Sequence, residues 1–443
     1  MSGTERWLCG LFLLIVAACA PAHAQLSDAE ERGRQIYFGE AGSPLDTATA
    51  RINGMDVRLP AKGFPCASCH GRSGSGFAER GAVPTDLSRG ALTRPYSVTA
   101  SQGRRRPPYT VSGFRAAVRT GKDPGGSTLS EAMPRFDLSD RQLGDLWAFL
   151  NIIDTLNDPG INDTEITIGV ALAPHTAGTA QRKLLDVLAS DINALGGIHG
   201  RSLRFAYQAA VNTPEADVFA TLAIGNNGAL PHGLPVISVS AEQAGQPQGF
   251  SLLAGAGDQT AALRRFAAEQ WGAVTLRDAC DASAGQTRLL SSSNCLAAGQ
   301  KAERLLMPQA VFAAIPPAER RSLPDETYVA LTAPVRRVAP QAQAAFARTR
   351  ARAGTARETI IAESEAYSAA AVIIEALMRS GRDLSRERLV LALEEMRNFE
   401  GAMTPPLSFG RNRRTGSRGV EIVKYSPQTG NLSTEGPWVD PGP

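Results

Sequence analysis

Cys66-Ala67-Ser68-Cys69-His70 sets two thiols three positions apart and an imidazole directly after the second. That order is the spacing for covalent attachment of a c-type haem. The short intervening chain lets both thiols reach the vinyl groups of one porphyrin as thioethers, and the next imidazole comes beneath the iron as an axial ligand. A CxxC disulfide or half of a zinc site would use the same thiols, but no second CxxC follows and the other His residues lie far away in sequence. Between Gln25 and Ile161 the remaining side chains able to supply a thioether or imidazole are Met55 and Met133. Met133 precedes Pro134, which stiffens a loop that must hold sulfur in place, whereas Met55 sits among polar and turn residues before the haem motif. Core packing is the competing use of a lone Met. Iron held by His70 and Met133 has no open position, which suits one-electron transfer and disfavours substrate chemistry; iron without Met133 would be open to ligands.

The N-terminus reads as a leader for export. Met1 to Ala24 has a short polar start, an apolar run from Leu8 to Ala18 and Ala22-His23-Ala24 before Gln25, the pattern of a secretory signal peptide over residues 1–24. Val16-Ala17-Ala18-Cys19 resembles a bacterial lipobox, so lipidation at Cys19 competes with soluble export and is the membrane attachment the chain offers. No later segment is apolar and long enough to span a bilayer. Beyond the leader and the haem pair, Cys280 and Cys295 remain, and in an oxidising compartment they read as a disulfide worth about 3 kcal/mol. A metal or redox role for that pair has no nearby His to support it. The chain has 443 residues, enough for two or three domains after the leader. A net charge of +3 is small for this length and gives no reason to expect nucleic acid as a partner.

The haem residues must be positioned by flanking helices. Asp28 to Tyr37 opens with acidic residues and runs to a stop near Gly39, and Ser139 to Gln142 caps a second helix reaching about Ile153. Leu143, Leu146, Trp147, Leu150 and Ile153 share one face of it at helical spacing. With an N-terminal helix, CxxCH, a Met loop at Ala132-Met133-Pro134-Arg135-Phe136 and a C-terminal helix, residues 26 to 156 resemble a class I cytochrome c. The resemblance implies an all-α domain over residues 25–160, one covalent haem c, Met133 as the distal ligand, bacterial export to the periplasm, and periplasmic electron donor and acceptor proteins. Arg104, Arg105, Arg106, Arg115, Arg119 and Lys122 form a basic run without an acidic residue, either a surface that steers an acidic redox partner or a solvated loop.

Asn157-Asp158-Pro159-Gly160 is turn material and reads as a linker. After it, Glu165 to Leu172, Thr179 to Leu195 and Ser202 to Tyr207 read as strand, helix and strand, with another buried strand over Leu234 to Val239. That alternation predicts a doubly wound α/β domain over residues 161–443. Asp191 to Arg201 (DINALGGIHGR), Leu234-Pro235-Val236-Ile237-Ser238, Glu365 to Ala370 opening a helix to Arg379, Phe399-Glu400-Gly401 and Leu407 to Gly410 resemble type I periplasmic ligand-binding proteins of the branched-chain amino acid class, over residues 163 to 425. The resemblance implies a small-molecule cleft between two lobes. Glu215 to Gly225 is short for a helix and a strand, and Ala279 to Pro340 is short for a second lobe, so a reduced domain is expected, either a cleft of altered specificity or a docking scaffold. Ser238, Ser240, Asn226, Asn227 and Tyr367 are weak cleft candidates, and each has a structural use as strand-end polar group or core aromatic. His175 after the first strand stands where such domains face their cleft, or simply in an exposed loop. The tail from Tyr425 to Pro443 reads as turn-rich and loosely ordered. No nucleophile and base pairing, phosphate loop or paired carboxylate appears, so no enzyme activity is expected. Two functions follow: an exported electron-transfer protein whose second domain binds a small ligand or docks a redox partner such as a dehydrogenase, or a binding protein for transport or sensing with an ancillary haem.

Overall fold

The computed structural model describes residues 26–52, 57–74, 76, 84–94, 98–99, 105–208, 217–224, 234–240, 248–272, 277–278, 286–299 and 301–440. The chain divides into two compact units, one ending at Leu156 and the other beginning at Asn157.

Unit 1 contains α1 (Asp28–Phe38), β1 (Thr49–Arg51), β2 (Arg58–Pro60), α2 (Ala67–His70), α3 (Arg89–Leu92), β3 (Val98–Thr99), β4 (Arg105–Arg106), α4 (Val111–Thr120), β5 (Arg135–Phe136) and α5 (Asp140–Leu150). Its two long helices start on capping boxes, Ser27 with Glu30 and Ser139 with Gln142, and α1 stops at Gly39 in the left-handed region at φ 65°. They pack closely because Gly33 faces α5: a Cβ there would lie 2.1 Å from the Asp145 carbonyl oxygen. Arg32 closes the crossing with two bonds to Asp145, of 2.8 and 3.0 Å. Leu143, Leu146, Leu150 and Ile153 are buried as their spacing predicts, while Trp147 is half-buried against Phe114.

The expected all-α domain is not what forms here. Strand β1 pairs antiparallel with β2 and with β5, making a three-stranded sheet, and β3 pairs with β4. Two- and three-residue strands are too short to leave an alternating pattern in the sequence; their partners make them.

Unit 2 contains β6 (Glu165–Ala171), α6 (His175–Ala194), β7 (Ser202–Gln208), β8 (Ala220–Ala223), β9 (Val236–Ser240), β10 (Gly249–Leu253), α7 (Ala256–Trp271), β11 (Arg277–Asp278), β12 (Thr287–Leu289), α8 (Leu296–Gly299), β13 (Arg304–Pro308), α9 (Gln309–Ala314), α10 (Pro317–Arg320), β14 (Glu326–Leu331), α11 (Pro340–Ala353), α12 (Ile360–Arg379), α13 (Arg386–Glu394), β15 (Thr415–Ser417), β16 (Val420–Tyr425) and β17 (Leu432–Val439). Its first sheet has the order β15-β10-β9-β8-β6-β7, with every pairing parallel. Helix α6 ends on Gly196 and Gly197, at φ 98° and 70°; a Cβ on Gly197 would meet the Arg201 carbonyl oxygen at 2.0 Å.

The second sheet has the order β11-β12-β13-β14-β16-β17 and matches the first in strand number, six. Among the described residues the second sheet thus has as many strands as the first, despite the short middle. Helices of four to six residues, α8, α9 and α10, link β12, β13 and β14, and the C-terminal strands supply the rest. Strand β16 pairs antiparallel with β14, bringing Tyr425 opposite Thr327, and β17 returns along β16. The tail expected to be loose is thus the edge strand of a sheet; Pro427 and Gly430 belong to the hairpin turn between β16 and β17. The 157–160 segment is also held: Asp158 Oδ2 accepts from the Arg386 backbone N–H at 2.7 Å, and the Arg386 guanidinium donates to the carbonyls of Val218 (2.8 Å), Phe219 (3.1 Å) and Pro159 (3.3 Å). Helix α12 begins five residues before Glu365, so Tyr367 lies inside it. Among the described residues no helix is long and apolar enough to cross a membrane.

Candidate functional site

The Cys66–His70 segment folds as one tight turn. Cys69 and His70 both donate their backbone N–H to the Cys66 carbonyl, at 3.2 and 2.9 Å, and Gly71 follows with φ 72°. The turn brings Cys66, Cys69 and His70 to one cavity of about 640 Å³, which Met133 also lines. Phe64, Phe114, Leu129, Phe136, Leu146 and Leu150 give the rest of it an apolar character. The volume falls within the ~300–1,000 Å³ usual for small-molecule and cofactor sites. From the α1 side, the buried Tyr37 hydroxyl donates to the Gly71 carbonyl at 2.6 Å and ties the end of the turn to the helix pair.

His70 Nδ1 lies 2.9 Å from the Thr85 carbonyl oxygen. A carbonyl only accepts, so Nδ1 carries the proton and the lone pair is on Nε2, the tautomer a metal ligand needs. Burial pushes the His70 pKa below its ordinary value, opposed by the Thr85 bond and the Asp86 charge. The imidazole is accordingly neutral near pH 7. Burial pushes the Cys66 thiol up to about 12, with the neighbouring Cys69 adding to the shift. Thr85, fifteen residues beyond His70, carries no sequence signal for this role, because its carbonyl acts and not its side chain.

The wall carrying Met133 is built from backbone. Asp123 Oδ1 accepts from the N–H groups of Gly125 and Ser127, both at 2.9 Å, and Leu129 N–H donates to the Gly121 carbonyl at 2.7 Å. Met133 N–H donates to the Ser130 carbonyl at 3.1 Å. Arg135, held in register opposite Arg51 by β5, turns its guanidinium back onto this loop and donates to the carbonyls of Met133, Leu129 and Ser130. Met55, the competing thioether, lies outside the described residues.

The residues present fit a covalent haem in donor chemistry: two thiols, one neutral imidazole with a free ring nitrogen and one thioether share an apolar cavity. Among the described residues no group of three or more His, Cys, Asp or Glu side chains is placed to hold a metal ion by itself. Cys66 and Cys69 form no disulfide. Cys280, named from the sequence as the partner of Cys295, lies outside the described residues.

Most of the described basic run is engaged inside unit 1. Arg106 is buried, donates to the Ala91 carbonyl at 2.7 Å and stacks over Tyr109 at 4.5 Å. Arg119 donates to the Leu138 carbonyl and pairs with Asp140 at 2.7 Å, and Arg115 approaches the same carboxylate at 3.5 Å. Arg119 foremost, and then Arg115, hold the Asp140 carboxyl below its usual range. The acidic partner sits in the next helix, so a count within the run could not reveal it. Arg104 lies outside the described residues.

In unit 2 the weak candidates do not converge. The Ser238 hydroxyl bonds the Ser251 hydroxyl at 2.9 Å and the Phe250 carbonyl at 3.3 Å, inside the sheet between β9 and β10. Tyr367 is buried against Phe346, ring to ring at 5.5 Å. His175 is exposed at the start of α6 with φ 59°. Ser240 closes β9, and Asn226 and Asn227 lie outside the described residues.

No family model matches the chain, and no curated protein matches it by sequence. Among solved structures it is similar to a fatty acid ABC transporter substrate-binding protein from Thermomonospora curvata, at 16% identity over 64% of this chain and 95% of that one, with a TM-score of 0.48. It is similar to an ABC transporter substrate-binding protein from Desulfitobacterium hafniense, at 15% identity over 61% and 100% of the two chains, TM-score 0.46. A third similarity is to a branched-chain amino acid transporter substrate binding protein from Streptococcus pneumoniae in complex with isoleucine, at 15% identity over 62% and 100%, TM-score 0.43.

Proposed function

We propose that the protein is an exported c-type cytochrome that passes single electrons, with unit 2 binding a small ligand or docking a periplasmic redox partner such as a dehydrogenase. The observation that carries this is the meeting of Cys66, Cys69, His70 and Met133 on one apolar cavity. A haem bound there supplies a one-electron couple and cannot dissociate, because its thioethers are covalent. The chain's own residues do the rest. Thr85 fixes the His70 tautomer, Tyr37 anchors the turn through Gly71, and the apolar wall limits water near the iron. The leader over residues 1–24 and the thioether chemistry agree on export, with Cys19 the alternative anchor.

The test is the optical spectrum of full-length protein produced with c-haem maturation machinery, oxidised and reduced, for wild type and Met133→Ala. A low-spin spectrum with a sulfur-to-iron band that the variant loses supports the reading. A protein that leaves maturation without covalent haem defeats it.

The second reading, a binding protein for transport or sensing with an ancillary haem, draws on the similar solved structures, which are substrate-binding proteins. Isoleucine and a fatty acid are therefore the first ligands to try on the full chain. A rise in melting temperature that grows with ligand concentration supports this reading through linkage. Flat melting curves with both leave the cytochrome reading ahead.

A further inference from the structure

We propose that Arg135 is the positioning residue for Met133: its guanidinium gathers the carbonyls of Leu129, Ser130 and Met133 into one cradle and so sets where the thioether sits in the cavity. The inference rests on the cytochrome reading and deepens it. Three features make Arg135 able to do this. Its backbone is fixed from outside the loop, since β5 pairs with β1 at Arg51 opposite Arg135 and Ala50 opposite Phe136. A guanidinium spreads its N–H donors over a rigid planar fork, here Nη1 toward Met133 and Nη2 toward Leu129 and Ser130, whereas an ammonium donates from one nitrogen at the end of a flexible stem. Gly121 leaves the space: a Cβ there would lie 2.0 Å from Arg135 Nε, so the guanidinium packs directly on the end of α4. The loop is consequently braced at its two ends, by Gly121 accepting from Leu129 N–H and by Arg135 on the Met133 carbonyl. Without the fork, three carbonyls around the Met lose a charged donor together, and a thioether is a weak ligand that a loosened loop gives up readily.

A purely structural arginine would alter unfolding and leave competition at the iron unchanged, so the readout is competition. Full-length ferric protein with covalent haem is titrated with imidazole, following the sulfur-to-iron band, for wild type, Arg135→Gln and Arg135→Lys. The expected result is an imidazole affinity about tenfold or more higher in Arg135→Gln, the factor that 1.4 kcal/mol carries. Arg135→Lys, which keeps the charge and loses the fork, falls between the two with a weakened band. Equal imidazole affinity in all three proteins overturns the proposal and leaves the cytochrome reading intact. Wild type with covalent haem and no sulfur-to-iron band overturns Met133 as ligand and this proposal with it. Wild type without covalent haem is the separate failure of the proposed function.

Discussion

His70 in unit 1 and Ser238 in unit 2 were both picked out by residue type and position, and the fold uses them in opposite ways. His70 spends one ring nitrogen on the Thr85 carbonyl and keeps the other for the cavity, whereas the Ser238 hydroxyl is used up by Ser251 and Phe250 between two strands. The same contrast runs through the surroundings. In unit 1 the core has a hole of about 640 Å³ with the chemistry-bearing residues on its walls. In unit 2, Ile166, Ile168, Leu222, Ile237 and Phe250 of the parallel sheet are fully buried. A polar group is available for function when the fold leaves one of its bonding positions unspent, and its type alone does not say so.

The largest test of this contrast removes the two thiols of the proposed haem site. Cys66→Ala with Cys69→Ala should abolish covalent haem altogether, read as loss of haem stain on a denaturing gel and of the corresponding mass. The cavity of unit 1 should then stay unfilled and lower its stability. Haem-stained protein from the double variant would break the comparison at its root.

Next is a residue that carries no chemistry. Arg386→Ala strips a buried guanidinium from three carbonyls and should destabilise unit 2 by about 3 kcal/mol or more in urea unfolding. The haem spectrum should remain that of wild type. A loss below about 1 kcal/mol would mean that water replaces the arginine and that this part of unit 2 is wetter than its packing implies.

A smaller effect is expected from Tyr37→Phe, which removes the 2.6 Å bond to the Gly71 carbonyl and keeps the ring. It should cost about 1 to 2 kcal/mol in denaturant and shift the haem potential without loss of haem. An unchanged midpoint would separate the CxxCH turn from α1 energetically.

The smallest concerns Glu365 in α12, whose carboxyl is raised above its ordinary value by burial. A raised folded pKa gives stability that is present below the unfolded value near pH 4.5 and is lost as pH rises through the folded one. Glu365→Gln stays neutral throughout, so its melting temperature should exceed that of wild type increasingly as pH is raised. A difference independent of pH would point to packing instead of charge.

What could be read directly from residues was local. The acidic start of α1, the Ser139 cap, the buried face of α5, the glycine stop of α6 and the strands β6 and β7 all depend on neighbours within about a turn or a strand length, so spacing and cap residues announce them. The CxxCH turn belongs to the same class, since its spacing is its geometry. Partners distant in sequence were decided by the tertiary structure. Asp140 answers Arg115 and Arg119, β16 and β17 complete a sheet begun near residue 277, and Arg135 cradles the Met133 loop because β5 pairs with β1. Each of these joins chain segments through carbonyls, strand edges or charges whose side-chain identity is only loosely constrained, so no pattern in the sequence marks them. The physical division lies there: periodicity and spacing specify which atoms a segment can present, and packing settles which of those atoms are already spent.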